Sequence, residues 1–267
     1  MAKDTGTSQV SMPEIPSRFT LTRMLIAVVA IAIYWWSFAG TGLNPVEIYK
    51  GMPGLWDLLR HMFPPDTDIL LSLWTPFIET LQIGILASLI GSVIAVPVGF
   101  LAAANMSPKI VYHSVRLVLN VFRGVSEIIW ALLFVVAVGL GPMPGVLALI
   151  IFCVGVMGKL IAEAVEAVDP GPLEAMRATG ASNWKVFVYG AWPQVLPTYL
   201  TICLYYWDHN TRQATILGFV GAGGLGYTLL FAISTYEFEK ATTAIILLIL
   251  LITAIDRFCL FLRKKII

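Results

Sequence analysis

Two apolar stretches of this chain carry charges that such stretches normally lack. Lys159, Glu163 and Glu166 stand in one, and Asp208, His209, Asn210 and Arg212 in the other. A charge halfway across a bilayer costs about 2.5–3.5 kcal/mol on insertion scales, so such groups face a cavity or one another. Lys159 with Glu163, and Asp208 with Arg212, are spaced so that both members fall on one helix face. Two chemistries fit this pattern. The pairs can be internal salt bridges that lock helices together, or Lys159, Glu163, Asp208, Asn210 and Arg212 can line the route of an anion.

Other motifs exclude more than they establish. Gly221, Ala222, Gly223, Gly224, Leu225 and Gly226 spell G-x-G-x-x-G, but a dinucleotide fingerprint needs a preceding strand and a βαβ unit, which the apolar flanks Ile216-Leu217 and Leu229-Leu230-Phe231 do not predict. Gly221, Gly223, Gly224 and Gly226 predict instead a sharp bend, a hinge or gate of the kind tolerated where irregular chain lines a cavity. Gly158-Lys159 lacks the earlier glycine of a phosphate-binding loop, that position being Cys153, and lacks a following Ser or Thr. ATP hydrolysis by this chain alone is therefore not expected, nor any cofactor within it. His61, His113 and His209 stand in no nucleophile motif, which disfavours a hydrolase. Cys153, Cys203 and Cys259 lie in apolar runs and read as packing residues, so no metal site is expected.

The elements that must position these residues follow from composition. Of 267 residues, 58% are hydrophobic and 12% charged, with mean hydropathy +0.84, more apolar surface than a soluble domain of this length can bury. The expected fold class is all-α integral membrane with six transmembrane helices, at about residues 24–40, 79–104, 126–140, 145–168, 195–218 and 241–262, after a tail over residues 1–22. Tyr34, Trp35 and Trp36 form an interfacial belt on the first span, and no small-residue cleavage site follows closely, so it is expected to be retained. Residues 40–76 read as an extramembrane connection with a short interfacial helix over residues 54–62. Gly84, Gly91 and Gly99 allow a close helix approach in the second span. Lys109, Arg116 and Arg123, at intervals of seven, share a face expected at the lipid headgroups.

With the N-terminus inside, the cytoplasmic segments hold Lys3, Arg18, Arg23, Lys109, Arg116, Arg123, Arg177, Lys185, Arg257, Arg263, Lys264 and Lys265, and the opposite side only Lys50, Arg60 and Lys240. The positive-inside bias thus predicts both termini in the cytoplasm of a cell-membrane protein. A formal net charge of +1 implies no nucleic-acid partner. The same orientation puts residues 170–193 in the cytoplasm. This loop reads as two short helices, the first with Gly171 as N-cap and Pro172 at N1, ended by Gly180 in a left-handed conformation, the second capped by Ser182 or Asn183. Trp184, Phe187, Val188 and Ala191 share one face of the second helix, an aromatic stripe that reads as made to enter a groove on another protein.

Glu174, Ala175 and Met176, with Gly180 and Pro193, resemble the EAA signature of permease subunits of ATP-binding-cassette importers, with Met176 in place of the usual third residue. The resemblance tightens to the membrane subunit of phosphonate importers over GVSEIIWALLFVVAVGLGPMPGVLALIIF from Gly124, GKLIAEAVEAVDPGPLEAMRATGAS from Gly158, PQVLP from Pro193 and LYYWDHNTRQATILGFVGAGGLG from Leu204. Ser126 stands where that family usually has proline, and Asp208 where it has glutamate. The resemblance implies the type I importer permease fold working as a homodimer, and a path for phosphonate, phosphite or a similar phosphorus oxyanion. It also implies an extracytoplasmic binding protein that delivers the oxyanion to the Gly221 to Gly226 face. Two cytoplasmic ATPase subunits, holding ATP and Mg, would grip the coupling loop through Glu174, Ala175, Met176, Gly180 and Trp184. The rival readings are a permease of the same class for another solute and an ion-coupled secondary transporter.

Overall fold

A computed structural model of the chain describes residues 21–42 and 44–266. The tail expected over residues 1–22 lies, up to residue 20, outside the described residues. The chain divides into two units after Asp57. The first holds α1 (Leu21–Gly40) and most of α2 (Pro45–His61), a helix that starts well before the short one expected over residues 54–62.

The second unit is built on three helices that pack against one another, α3 (Trp74–Leu101), α6 (Pro142–Glu166) and α9 (Trp192–Gly218). Small residues on α3 make the approach possible, as their spacing predicts. A Cβ at Gly84 would stand 2.5 Å from Thr211 Oγ1, one at Gly91 2.6 Å from Cys153 Cβ, and one at Gly99 2.7 Å from Ile161 Cγ2. Where the three helices meet, Asn210 is fully buried and donates through Nδ2 to Ser88 Oγ at 2.9 Å and to Cys153 Sγ at 3.1 Å. One side chain on α9 thus ties α3 and α6 to it in an interior where an unmade hydrogen bond is costly.

The other elements clothe this trio. They are α4 (Lys109–Gly124), α5 (Glu127–Val138), α7 (Pro170–Ala178), α8 (Asn183–Val186), α10 (Gly224–Ser234) and α11 (Phe238–Ile266). Among the described residues three helices, α3, α6 and α11, are each long and apolar enough to cross a membrane, and α4 with α5 passes only as a pair bent by 87°. The expected straight span over residues 126–140 is thus a 12-residue helix, about 18 Å at 1.5 Å per residue, against a hydrocarbon core of about 30 Å. The chain breaks because Val125 and Ser126 are extended, with ψ of 128° and 146°. The 27-residue α9 is long enough to cross, but its polar patch removes it from the apolar set. Six uniform spans therefore become a mixture of straight, broken and polar ones.

The glycine-rich segment does bend sharply. Gly221, Gly223 and Gly224 have φ of +93°, +74° and +70°, a region that favours glycine. Gly226 lies against α9, where an added Cβ would come within 1.9 Å of the Thr215 carbonyl oxygen. The corner is also tied down. Gly224 N donates to Glu79 Oε2 at 3.0 Å, Leu225 N to Thr80 Oγ1 at 2.9 Å, and Gly141 N to the Gly221 carbonyl at 2.9 Å.

Asn210→Ala is expected to lower stability by about 1–3 kcal/mol, the cost of stripping a buried hydrogen-bonded group. A fall in the melting temperature of the detergent-solubilised protein checks this, and an unchanged melting temperature would remove the lock at the three-helix seam.

Candidate functional site

The exposed loop after α6 is shaped as a lever. Asp169, not Gly171, caps α7: its side chain accepts from Gly171 N at 2.9 Å, which puts Pro170 at the first helical position, where its missing N–H costs nothing. Gly180 ends the turn with φ of +79° and open space around it. Ser182 caps α8, which runs through a π-helical segment, Phe187–Ala191, directly into α9. No irregular linker therefore separates α8 from α9. Glu174, Ala175, Gly180 and Trp184 are exposed and Met176 half-buried.

The aromatic stripe does not face outward as expected. Phe187 and Ala191 are buried in the chain's own core. Phe100, at the end of α3, lies 4.8 Å from Phe187 and 5.3 Å from Trp184 between ring centroids, and Phe187 lies 5.9 Å from Trp192. Helical spacing showed that these residues share a face; it could not show that Phe100 would cover it.

A polar clamp joins this lever to the bundle. Arg116 Nη2 donates to both carboxylate oxygens of Glu166, at 2.9 and 3.0 Å, and its Nε donates to the Ala102 carbonyl at 3.0 Å. Glu166 Oε1 also accepts from Ala104 N at 2.7 Å. From the same turn, Asn105 Nδ2 donates to the Val165 carbonyl at 2.8 Å, and its own carbonyl accepts from Arg177 Nη2 at 2.7 Å. Asn183 Nδ2 donates to the Met106 carbonyl at 3.1 Å. Arg116, expected among lipid headgroups, is turned inward to Glu166 instead. Arg123 departs from that expectation as well. A Cβ on Gly155, near the middle of α6, would lie 2.9 Å from Arg123 N, so α4 carries Arg123 deep along the bundle.

The second constellation is a polar face. On α9 the buried residues Tyr206, Asn210, Ala214 and Leu217 mark one side, and the exposed residues Tyr205, Arg212, Ile216 and Phe219 the other. Asp208 accepts a salt bridge from Arg212, whose side chain is 49% exposed. Asn210 points the opposite way, into the seam, and is not on this face. On α6, Phe152, Lys159 and Glu163 share a stripe at helical spacing, between the contacts of α6 with α4 at Gly155 and with α9 at Cys153. Lys159 Nζ lies 4.0 Å from Glu163 Oε1. Phe152 stacks on His209 at 6.1 Å, which places the α6 stripe beside α9, with Lys159 two turns, about 10 Å, further toward the α6 C-terminus. The two charged pairs therefore stand at different levels along one face.

Two residues that the sequence reading left outside this face belong beside it. Glu127 occupies the first turn of α5, where the helix dipole favours a carboxylate, and its Oε1 lies 3.7 Å from His209 Nε2. His209 also stacks on Tyr205 at 6.3 Å. The signal was present: Glu127 is an acid within a stretch read as a span. Among the described residues no group of three or more His, Cys, Asp or Glu is arranged to hold a metal ion. At the start of α11, Lys240 Nζ donates to Oε1 of Glu237, the residue just before the helix, at 2.8 Å and holds that carboxyl below its usual range.

Residues 95–267 match the model of a family described as binding-protein-dependent transport system inner membrane component. The chain is 37% identical over 223 residues to the phosphite transport system permease protein PtxC of Stutzerimonas stutzeri, covering 83% of this chain and 81% of that protein. It is 37% identical over 253 residues to the phosphate-import permease protein PhnE of Mycolicibacterium smegmatis, covering 94% of this chain but only 47% of that longer protein. Among solved structures, the MetNI methionine ABC transporter in an inward-facing conformation matches with a TM-score of 0.65 at 22% identity, covering 76% of this chain and 99% of that one. At that identity the likeness is one of fold.

Glu166→Gln should remove the charge that holds Arg116 and free the turn over residues 102–106. Hydrogen exchange is expected to rise in residues 102–106 and 170–183 together while α6 stays protected; exchange unchanged in both segments would show that the clamp does not hold the lever.

Proposed function

Because the chain belongs to the family of binding-protein-dependent transport system inner membrane components, we propose that it is the permease subunit of an ATP-binding-cassette importer and forms the membrane path for a phosphorus oxyanion such as phosphite, phosphate or a phosphonate. The observation that carries this reading is the polar face. Its half-exposed guanidinium and its lysine stand on helices of a bundle that also exposes many large apolar side chains, and charges in that setting belong beside water. The relatives named for phosphite and phosphate supply the class of solute.

The chain would work as a symmetric pair, each copy giving one polar face to a shared path and one lever to a cytoplasmic ATPase subunit, where ATP and Mg would bind. Exposed Glu174, Ala175, Gly180 and Trp184 would meet that subunit. When the two ATPase subunits close, α7 and α8 would move, and the clamp and the unbroken run from α8 into α9 would carry the motion to the path. An extracytoplasmic binding protein would deliver the anion near the corner at Gly221, Gly223, Gly224 and Gly226. Both termini would lie in the cytoplasm. Within the path Arg212 and Lys159 would draw the anion from one level to the next, while Asp208 and Glu163 keep each cation from holding it too tightly. Asn210 would serve the path indirectly, by fixing the helix that carries it.

Arg212→Ala is expected to cut phosphite uptake by the assembled transporter at least about tenfold, since removing a partner of a charged hydrogen bond costs about 1.5–3 kcal/mol, with membrane abundance unchanged. Growth on phosphite as sole phosphorus source, with and without this chain, reads the same function. Growth that does not depend on the chain for any phosphorus oxyanion would contradict the proposal and favour a permease for another solute.

A further inference from the structure

Glu127 and His209 form a pair that neither partner completes. Their nearest atoms are 3.7 Å apart, beyond hydrogen-bond length, and His209 Nε2 has no hydrogen-bond partner though the atom is buried. The pair sits where α5 begins, beside Gly124 and Ser126, both exposed at the level of Gly155, halfway along α6. Irregular backbone at that depth is tolerated only where it is buried in protein or lines water. Arg123, near the end of α4 and four residues before Glu127 across the break, is exposed and makes no salt bridge among the described residues. An acceptor and a ring that can donate thus face each other where the chain breaks, with an exposed cation four residues before the acceptor.

A carboxylate is a poor neighbour for a fully ionised anion, because like charges at short range repel. It is a good neighbour for an anion that still carries a proton. Resting on the function proposed above, we infer that Glu127 and His209 form the selectivity site of the path and read a protonated phosphorus oxyanion, P(O⁻)(OH). The P–OH donates to a Glu127 carboxylate oxygen, a second oxygen accepts from the His209 ring, and Arg123 supplies the opposing charge. The second proton of a phosphate-type group leaves at about pH 6, so near neutral pH a minor, rapidly replenished fraction of phosphite, phosphonate or phosphate still carries it, and that fraction is the form the site would take. Sulfate has none to give, so it would leave Glu127 both unpaired and repelled. A site built to pair a donor discriminates strongly against an analogue that lacks it, by about 10⁴–10⁵ in favourable enzyme cases.

The test is uptake of radiolabelled phosphite by proteoliposomes holding the complete transporter, with sulfate enclosed on the cytoplasmic side of the path, where no binding protein screens it, as competitor. The unmodified protein is expected to take up phosphite and to ignore sulfate in large excess. Glu127→Gln replaces an acceptor-only group with one that also donates, so the apparent affinity for phosphite should fall at least tenfold while sulfate becomes an effective competitor. Arg123→Gln, a change at an exposed side chain, should weaken phosphite uptake without admitting sulfate. If Glu127→Gln is poorly inserted, His209→Gln, which keeps a donor amide, should retain sulfate rejection and lose phosphite affinity only modestly, whereas sulfate entry through His209→Gln would overturn the assignment. Unchanged phosphite affinity and unchanged sulfate rejection in Glu127→Gln would sink this inference alone. No phosphite, phosphate or phosphonate uptake by the unmodified transporter would sink the proposed function with it.

Discussion

The organisation of this chain depends on one constraint: hydrocarbon offers nothing to a charge or to an unpaired peptide group. Every polar feature deep in the bundle must be met by protein or by water. The chain uses both solutions, on opposite sides of the same helix. Asn210 on α9 gives both amide hydrogens to Ser88 and Cys153 and becomes the bolt of a three-helix seam. Arg212 and Tyr205 on the other side are exposed. The break between α4 and α5, with exposed Gly124 and Ser126, opens toward Arg123, Glu127 and His209.

The same economy separates what is held from what can move. Glycines at positions 84, 91 and 99 draw α3 onto α6 and α9 so closely that even a methyl group would collide. Close packing of this kind transmits displacement instead of absorbing it. At the exposed end the contacts are charged and directional: Arg116, Glu166, Asn105, Arg177 and Asn183 fasten the lever helices to the turn after α3. The glycine corner before α10, bonded to Glu79, Thr80 and Gly141, reads as part of that stiff body.

Much of this was legible in the residues. The apolar runs gave α3, α6 and α11 nearly in place, helical spacing paired Lys159 with Glu163 and Asp208 with Arg212, and Gly180 carried its left-handed turn. What escaped was tertiary. Periodicity placed Phe187 and Ala191 on a common face but gave no way to see Phe100 waiting to bury it. Seven-residue spacing put Arg116 and Arg123 together, yet one turns to a carboxylate from α6 and the other climbs to the middle of the bundle. Asn210 sits between Asp208 and Arg212 in sequence and points away from both, because successive helical residues are turned by about 100°. Asp169 is the cap, and the two prolines after it draw the expected start of the helix two residues late, to Gly171.

The central claim is that the exposed face of α9 borders water and not lipid. Its most direct test is the labelling of single cysteines by a membrane-impermeant thiol reagent in the assembled transporter, after Cys153, Cys203 and Cys259 have been replaced by small residues. Cysteine at Tyr205 should react, and phosphite should slow that reaction, while cysteine at Leu133, an exposed apolar position on α5, should stay unlabelled. No reaction at position 205 in any nucleotide state would mean that the face looks into the bilayer, and the account would be contradicted.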